Sequence, residues 1–268
     1  ILAFLLTWAA PQYACAQAPA KRLSEWLLEQ PNLESSYLLG LSWRVPEETV
    51  VQSAARLSLI ASLSSGREIG ADPASVSNLR DWISRLPATG RVPVAVADPR
   101  WLQGNPGRDP VLLPGHTVVL PLRPITVTVI TDRGELCRVA HIPNREARDY
   151  IDVCMPEREG RIDWAWIAQP DGRVQRFGVA TWNREVQDEP APGAWIWAPS
   201  RGSGWPEGLS QRLIDFLATQ GPAPDQPEGR PIPGQPGTRQ LTDVGRTVTR
   251  SISREVSSTD WGATGLMQ

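Results

Sequence analysis

The sequence predicts an α+β protein, and three observations lead there. Residues 125–130 (ITVTVI) alternate β-branched side chains with a period of two, as a half-buried strand does. Residues 75–86 instead place Val76, Leu79, Ile83 and Leu86 on one face of a helix. A strand, two helices and further strands then follow one another in an order that suits a compact α+β domain.

The chain opens on an apolar run that reaches Ala14-Cys15-Ala16 and then Gln17, the small-x-small ending of a secretory signal. Residues 1–16 are read as such a signal without its charged start, and at about a dozen apolar residues the run is too short to cross a bilayer. A membrane anchor or a buried helix is the alternative. On the signal reading the mature chain begins near Gln17 and is exported to the periplasm.

Residues 21–29 carry Leu23, Trp26 and Leu27 at helical spacing, and Pro31 stops that helix. Residues 37–45 read as a strand ended by Pro46. Pro46, Glu47 and Glu48 suit a first helical turn, where the missing N–H and the negative charges fit the dipole, and Ser64-Ser65-Gly66 ends the run. With residues 75–86 this makes a helical hairpin. Strands are expected at 91–97, 110–114 and 116–120, with a Gly-, Pro- and Asp-rich loop after the first of them. This first domain spans residues 17–122.

In the second domain, residues 123–200, the strand at 125–130 turns at Thr131-Asp132-Arg133-Gly134 into a partner at 135–139. A helix at 145–153 presents Ala147, Tyr150 and Ile151 on one face. Strands at 163–169 and 174–179 flank the turn Pro170-Asp171-Gly172, and Pro192-Gly193 precedes a closing strand at 194–198. Hairpin, helix, hairpin and final strand is the order of the β-grasp fold. Residues 201–220 hold a short amphipathic helix with Leu209, Leu213, Phe216 and Leu217 on one side. Proline and glycine dominate 221–237, which is expected to be a disordered or extended linker ahead of a polar tail to residue 268.

A formal net charge of −2 leaves neither a nucleic-acid footprint nor a polybasic membrane patch. No nucleophile elbow, phosphate loop or metal-ligand cluster is present, and no cofactor is implied. Enzymatic chemistry would have to use Asp149 with Asp152, or His116 or His141. Cys137 and Cys154 are either a disulfide of an exported domain or two buried thiols. The chain carries 12 Trp against 3 Phe and 3 Tyr, an excess that fits sugar stacking or an interface, with core packing as the alternative. Trp164 and Trp166 share a face of one strand, as do Trp195 and Trp197, and in each pair that face is core or stacking platform. Trp101, and Trp182 beside Asn183 and Arg184, are the surface candidates for glycan contact. The helix bearing Leu209, Leu213, Phe216 and Leu217 is the candidate for docking on a partner.

The second domain resembles the soluble-ligand-binding β-grasp (SLBB) family through residues 145–152, the turn Gln169-Pro170-Asp171-Gly172-Arg173, and Ala191-Pro192-Gly193-Ala194 before Trp195-Ile196-Trp197. More narrowly, Ala88-Thr89-Gly90-Arg91-Val92, Leu112-Leu113-Pro114-Gly115-His116, Asp163-Trp164-Ala165-Trp166-Ile167 and Ala180-Thr181-Trp182-Asn183-Arg184 resemble the GfcC-like capsule-biosynthesis family over residues 33–220. The resemblance implies two tandem β-grasp domains, the first with the helical hairpin inserted, in a periplasmic accessory protein of capsule or exopolysaccharide export. It implies polysaccharide or polysaccharide-export proteins as partners, and a pocket arginine that falls on Arg91. The tail from Thr259 resembles the start of YjbH-type outer-membrane barrel proteins, which makes such a barrel a second expected partner.

Overall fold

The computed structural model describes residues 21–66, 69–158, 161–187 and 189–225. The expected signal at 1–16, residues 226–237 of the linker and the barrel-like tail lie outside the described residues. The first series of elements is β1 (Lys21–Arg22), α1 (Leu23–Leu28), β2 (Ser42–Arg44), α2 (Pro46–Ser65), α3 (Pro73–Arg85), β3 (Arg91–Val92), α4 (Pro99–Gly104), β4 (Val111–Leu112) and β5 (Thr117–Val119). The second is β6 (Thr126–Thr131), β7 (Leu136–Ala140), α5 (Ala147–Cys154), β8 (Trp164–Ala168), β9 (Val174–Gly178), β10 (Trp195–Ala198) and α6 (Glu207–Ala218). The protein is α+β, as predicted.

Five strands form one sheet in the order β7-β6-β10-β8-β9, in which β10 runs parallel to β6 and every other pair is antiparallel. The last strand thus lies between two hairpins, an arrangement compatible with the β-grasp. A three-stranded antiparallel sheet, β3-β2-β5, and the short pair β1-β4 belong to the amino-terminal part.

Period-two alternation sends side chains of the large sheet to two cores. Val127, Val129, Ala165, Ile167 and Ile196 face α5, where Ala147, Tyr150 and Ile151 are fully buried. A disulfide joins Cys137 on β7 to Cys154 at the end of α5, with their Cα atoms 5.8 Å apart. Ile130, Trp166, Ala168, Trp195 and Trp197 face the other way, into a core completed by Leu59 and Leu63 of α2, Leu79, Trp82 and Ile83 of α3, and α6. Trp166, Trp195 and Trp197 are therefore core, while Trp164 packs against that core partly buried under the Arg176 guanidinium; Trp82 and Trp195 stack at a tilt with ring centroids 5.7 Å apart. The helical hairpin inserted between β2 and β3 covers the large sheet, and its approach is close. A Cβ on Gly134, in the β6–β7 turn with φ +72°, would sit 2.7 Å from the backbone of α3.

Helix α6 corrects an expectation. Leu209, Leu213, Phe216 and Leu217 are all buried in this same core, so the apolar side of the helix is spent on the chain's own sheet and offers no docking face. Exposed apolar side chains cluster on α2 instead, where Val50, Val51 and Leu57 are 72%, 61% and 61% exposed.

The amino-terminal strands are shorter than the sequence predicts. Within 37–45 only Ser42–Arg44 pairs, because Leu38–Gly40 forms a 3-10 turn and Tyr37 is tied down by its hydroxyl, which donates to the Pro192 carbonyl at 2.8 Å. Pro93 has no N–H to donate, and the strand expected over 91–97 stops at Val92. Within the Gly-, Pro- and Asp-rich loop lies α4, opened by the Asp98 carboxylate accepting from the Trp101 backbone N–H at 2.7 Å with Pro99 at the first position.

Candidate functional site: a tryptophan-lined groove

The turn at residues 181–183 follows β9 and is folded back upon it. A Cβ on Gly178 would lie 1.8 Å from the Asn183 carbonyl oxygen, so only glycine permits that contact. The Asn183 backbone N–H donates to the Ala180 carbonyl at 3.1 Å, and its side-chain amide donates to the Asp163 carbonyl at 2.8 Å. These bonds fix the turn that carries Trp182. The indole lies near enough to the Asp163 carboxylate to help hold that group in its charged form. The ring is 69% exposed on this fixed turn.

Asp163 also takes a two-pronged contact from Arg201, through Nε at 2.7 Å and through Nη2. Hydrogen bonding from Arg201 is the main reason that its carboxyl is held below the usual aspartate range; the Arg201 charge and the nearby Trp182 indole add to the effect, and desolvation opposes it. Across the groove Arg148 and Asp152, one turn apart on α5, form an ion pair with Nε–Oδ2 at 3.5 Å. Trp182, Arg201, Arg148, Asp152, Thr181 and Ile162 line a groove of about 290 Å³. Such a site offers an aromatic face, paired charges and a hydroxyl. It can bind a polar ligand that has one apolar face.

The structure places the other candidates apart from this groove. Arg184 sits two residues from Trp182, but its guanidinium donates to Glu146 at 2.5 Å and does not line the cavity. Trp101, 40% exposed on α4, does not line it either.

Arg91 has an internal role in place of the expected ligand contact. It is 2% exposed, and its N–H groups donate to the Leu41 carbonyl at 3.1 and 3.2 Å, to the Ala218 carbonyl at 2.9 Å and to the Pro170 carbonyl. It borders a second groove, of about 420 Å³ between α2 and α6, but these carbonyls hold its guanidinium. Burial pushes its pKa down to about 10, with Asp171 opposing and Arg44 adding, so the group remains cationic at neutral pH. One side chain thereby ties the approach to β2, the β8–β9 turn and the end of α6 together.

The histidines have local partners. His116 Nδ1 accepts from the Leu113 N–H and from Trp43 Nε1, each at 3.2 Å, and His141 lies 3.8 Å from Glu189. Among the described residues no three His, Cys, Asp or Glu side chains are placed to hold a metal ion.

The sequence singles out Trp182 as a surface candidate but not the setting in which the structure places it. The sequence does not single out Arg148 or Arg201; it marks Asp163 only as the start of a strand and of a family motif, and Asp152 only as a carboxylate to pair with Asp149. The i,i+4 spacing of Arg148 and Asp152 was a usable signal. No local signal joins residue 163 to residue 201.

Comparison with known proteins places these features in a family. Residues 136–221, which include β7 to α6 and the whole groove, match the family described as capsule biosynthesis GfcC C-terminal. An uncharacterized protein of Escherichia coli (strain K12), YjbG, is 30% identical over 198 residues, covering 72% of this chain and 79% of that protein. On this likeness and on the sheet it describes, the chain belongs to the GfcC-like family of capsule-biosynthesis proteins.

Proposed function

We propose that this protein is a non-catalytic accessory factor of capsule or exopolysaccharide production that binds glycan in the periplasm through the groove beside Trp182. The observation that carries this reading is the Trp182 ring, 69% exposed on a turn clamped to Gly178 and tied down through Asn183. Aromatic rings exposed to solvent and held rigid are suited to the C–H face of a sugar, since little ordering entropy is lost on binding. The family setting supports a polysaccharide-related role. The Cys137–Cys154 disulfide is consistent with an oxidising compartment.

The test is a titration of the protein with oligosaccharides cut from the host's own exopolysaccharide, followed by intrinsic fluorescence. Saturable binding is expected, and Trp182→Ala should weaken it by about tenfold or more while leaving the unfolding midpoint unchanged, because the ring contributes little buried area. Binding that survives Trp182→Ala would remove the groove from the account.

Acidity should matter only at low pH. The folded pKa of Asp163 is depressed, so the Asp163–Arg201 contact beside Trp182 is fully present above the ordinary aspartate value and is lost as pH falls through the lower folded value. Affinity should therefore stay flat from neutral pH down to about 5 and fall only below about 4. A midpoint near neutrality would mean that another group controls binding.

A second reading makes the protein an assembly partner of export machinery or of a YjbH-type outer-membrane barrel. It is favoured by the exposed apolar face of α2, with Val51, Ala55, Pro93 and Phe216 lining the 420 Å³ groove beside it. On that reading Val51→Asp with Leu57→Asp abolishes co-purification with the barrel and leaves glycan affinity intact. Co-purification that withstands both changes counts against docking on α2.

A further inference from the structure

We infer that the Trp182 groove takes a neutral hexopyranose bearing adjacent hydroxyls, in preference to an acidic sugar; this rests on the glycan-binding reading above. Among the described residues, the arginines that line the groove already have carboxylate partners. Arg201 is held by Asp163 through two contacts, and Arg148 pairs with Asp152 at 3.5 Å. Among the described residues at the groove, the two cations Arg148 and Arg201 each have a carboxylate beside them, Asp152 and Asp163. A uronate entering beside Trp182 would bring its carboxylate towards Asp152 and Asp163. To gain a guanidinium it would have to displace one of those aspartates from an arginine, exchanging one charge-assisted contact for another while adding like-charge repulsion.

A neutral ring meets none of that opposition. Side by side, a carboxylate that only accepts and a guanidinium that only donates match a pair of neighbouring hydroxyls, one of which donates as the other accepts. Arg148 and Asp152 supply that combination from adjacent turns of α5, and Thr181 adds a hydroxyl able to do either. The exposed indole takes the apolar C–H face of the same ring, while Ile162 closes one wall. At about 290 Å³ the groove is at the lower limit of pockets that enclose drug-sized ligands, which suits one or two sugar units of a longer chain.

The experiment is isothermal titration of the full protein with cellopentaose, maltopentaose and a galactose pentamer, and separately with pentagalacturonate. At least one neutral pentamer is expected to bind about tenfold more tightly than the uronate, with an affinity that changes less than about twofold when salt is raised to about 0.5 M. Trp182→Ala and Asp152→Asn should each lower that affinity. Both positions lie at the surface of the groove, and an unchanged thermal midpoint confirms that the variants are folded. Tighter, salt-sensitive binding of pentagalacturonate overturns the neutral-sugar inference and leaves the glycan reading standing. Should neither neutral nor acidic pentamers bind at millimolar concentration while the host's own oligosaccharides do, the neutral-hexose assignment is wrong; silence from all of them removes the glycan reading itself.

Discussion

Replacing Arg91 by alanine is expected to destabilise the protein by on the order of 3–5 kcal/mol, read from urea unfolding. The side chain is nearly inaccessible, and its N–H groups satisfy carbonyls of Leu41, Pro170 and Ala218. Truncation leaves three acceptors from three segments without a donor, together with a cavity. Lysine should recover only part of the loss, because a single compact ammonium cannot replace a planar fork whose N–H groups point to carbonyls in different directions. The result separates structure from binding. A ligand-contacting Arg91 would lose glycan affinity with little loss of stability; a loss of stability below about 1 kcal/mol would overturn the internal role assigned to it.

The disulfide should have the next largest effect. Cys137 and Cys154 are 17 residues apart and fasten edge strand β7 to the end of α5, the helix that covers one face of the large sheet. Opening that loop is expected to remove about 3 kcal/mol by the chain-entropy estimate. Reductant should lower the urea midpoint of the wild-type protein and leave that of the Cys137→Ala, Cys154→Ala double variant unmoved. Two free thiols in unreduced, denatured protein would contradict the bond.

The large sheet was legible because its signals are local. Alternation in 125–130 and 194–198, turn residues at 131–134 and 170–172, and the face shared by Ala147, Tyr150 and Ile151 each declare an element within a few residues. Alternation also set Trp195 and Trp197 together without saying what covers them. Their cover, α2, α3 and α6, comes from both ends of the chain, and no period in the sequence carries that pairing. For the same reason the docking candidate fell on α6: its stripe of Leu209, Leu213 and Phe216 marks an apolar face, and only tertiary structure tells a face that is covered from one that is not.

The amino-terminal part was harder to read because its strands are two or three residues long. Such strands leave little alternation to detect, and Pro93 cuts short what looked like a longer one. Helix α4 could have been found from the cap Asp98 and Pro99, a start signal obscured by Gly104, Pro106 and Gly107 close behind. At the candidate site Trp182 stood out as an aromatic in a polar stretch. The groove around it is assembled from α5, from Ile162 ahead of β8 and from Arg201 after β10, so its chemistry emerges only when the strands are paired.

The central claim is that Trp182 is a glycan-stacking surface, and the most direct measurement is the two-dimensional 15N–1H spectrum of the tryptophan indoles during titration with host exopolysaccharide oligosaccharides. The Trp182 signal, assigned by its disappearance in Trp182→Phe, is expected to shift in a saturable way while those of the buried Trp166 and Trp195 stay in place. A Trp182 signal that stays fixed as other indoles move, or a spectrum unchanged at millimolar sugar, would contradict it.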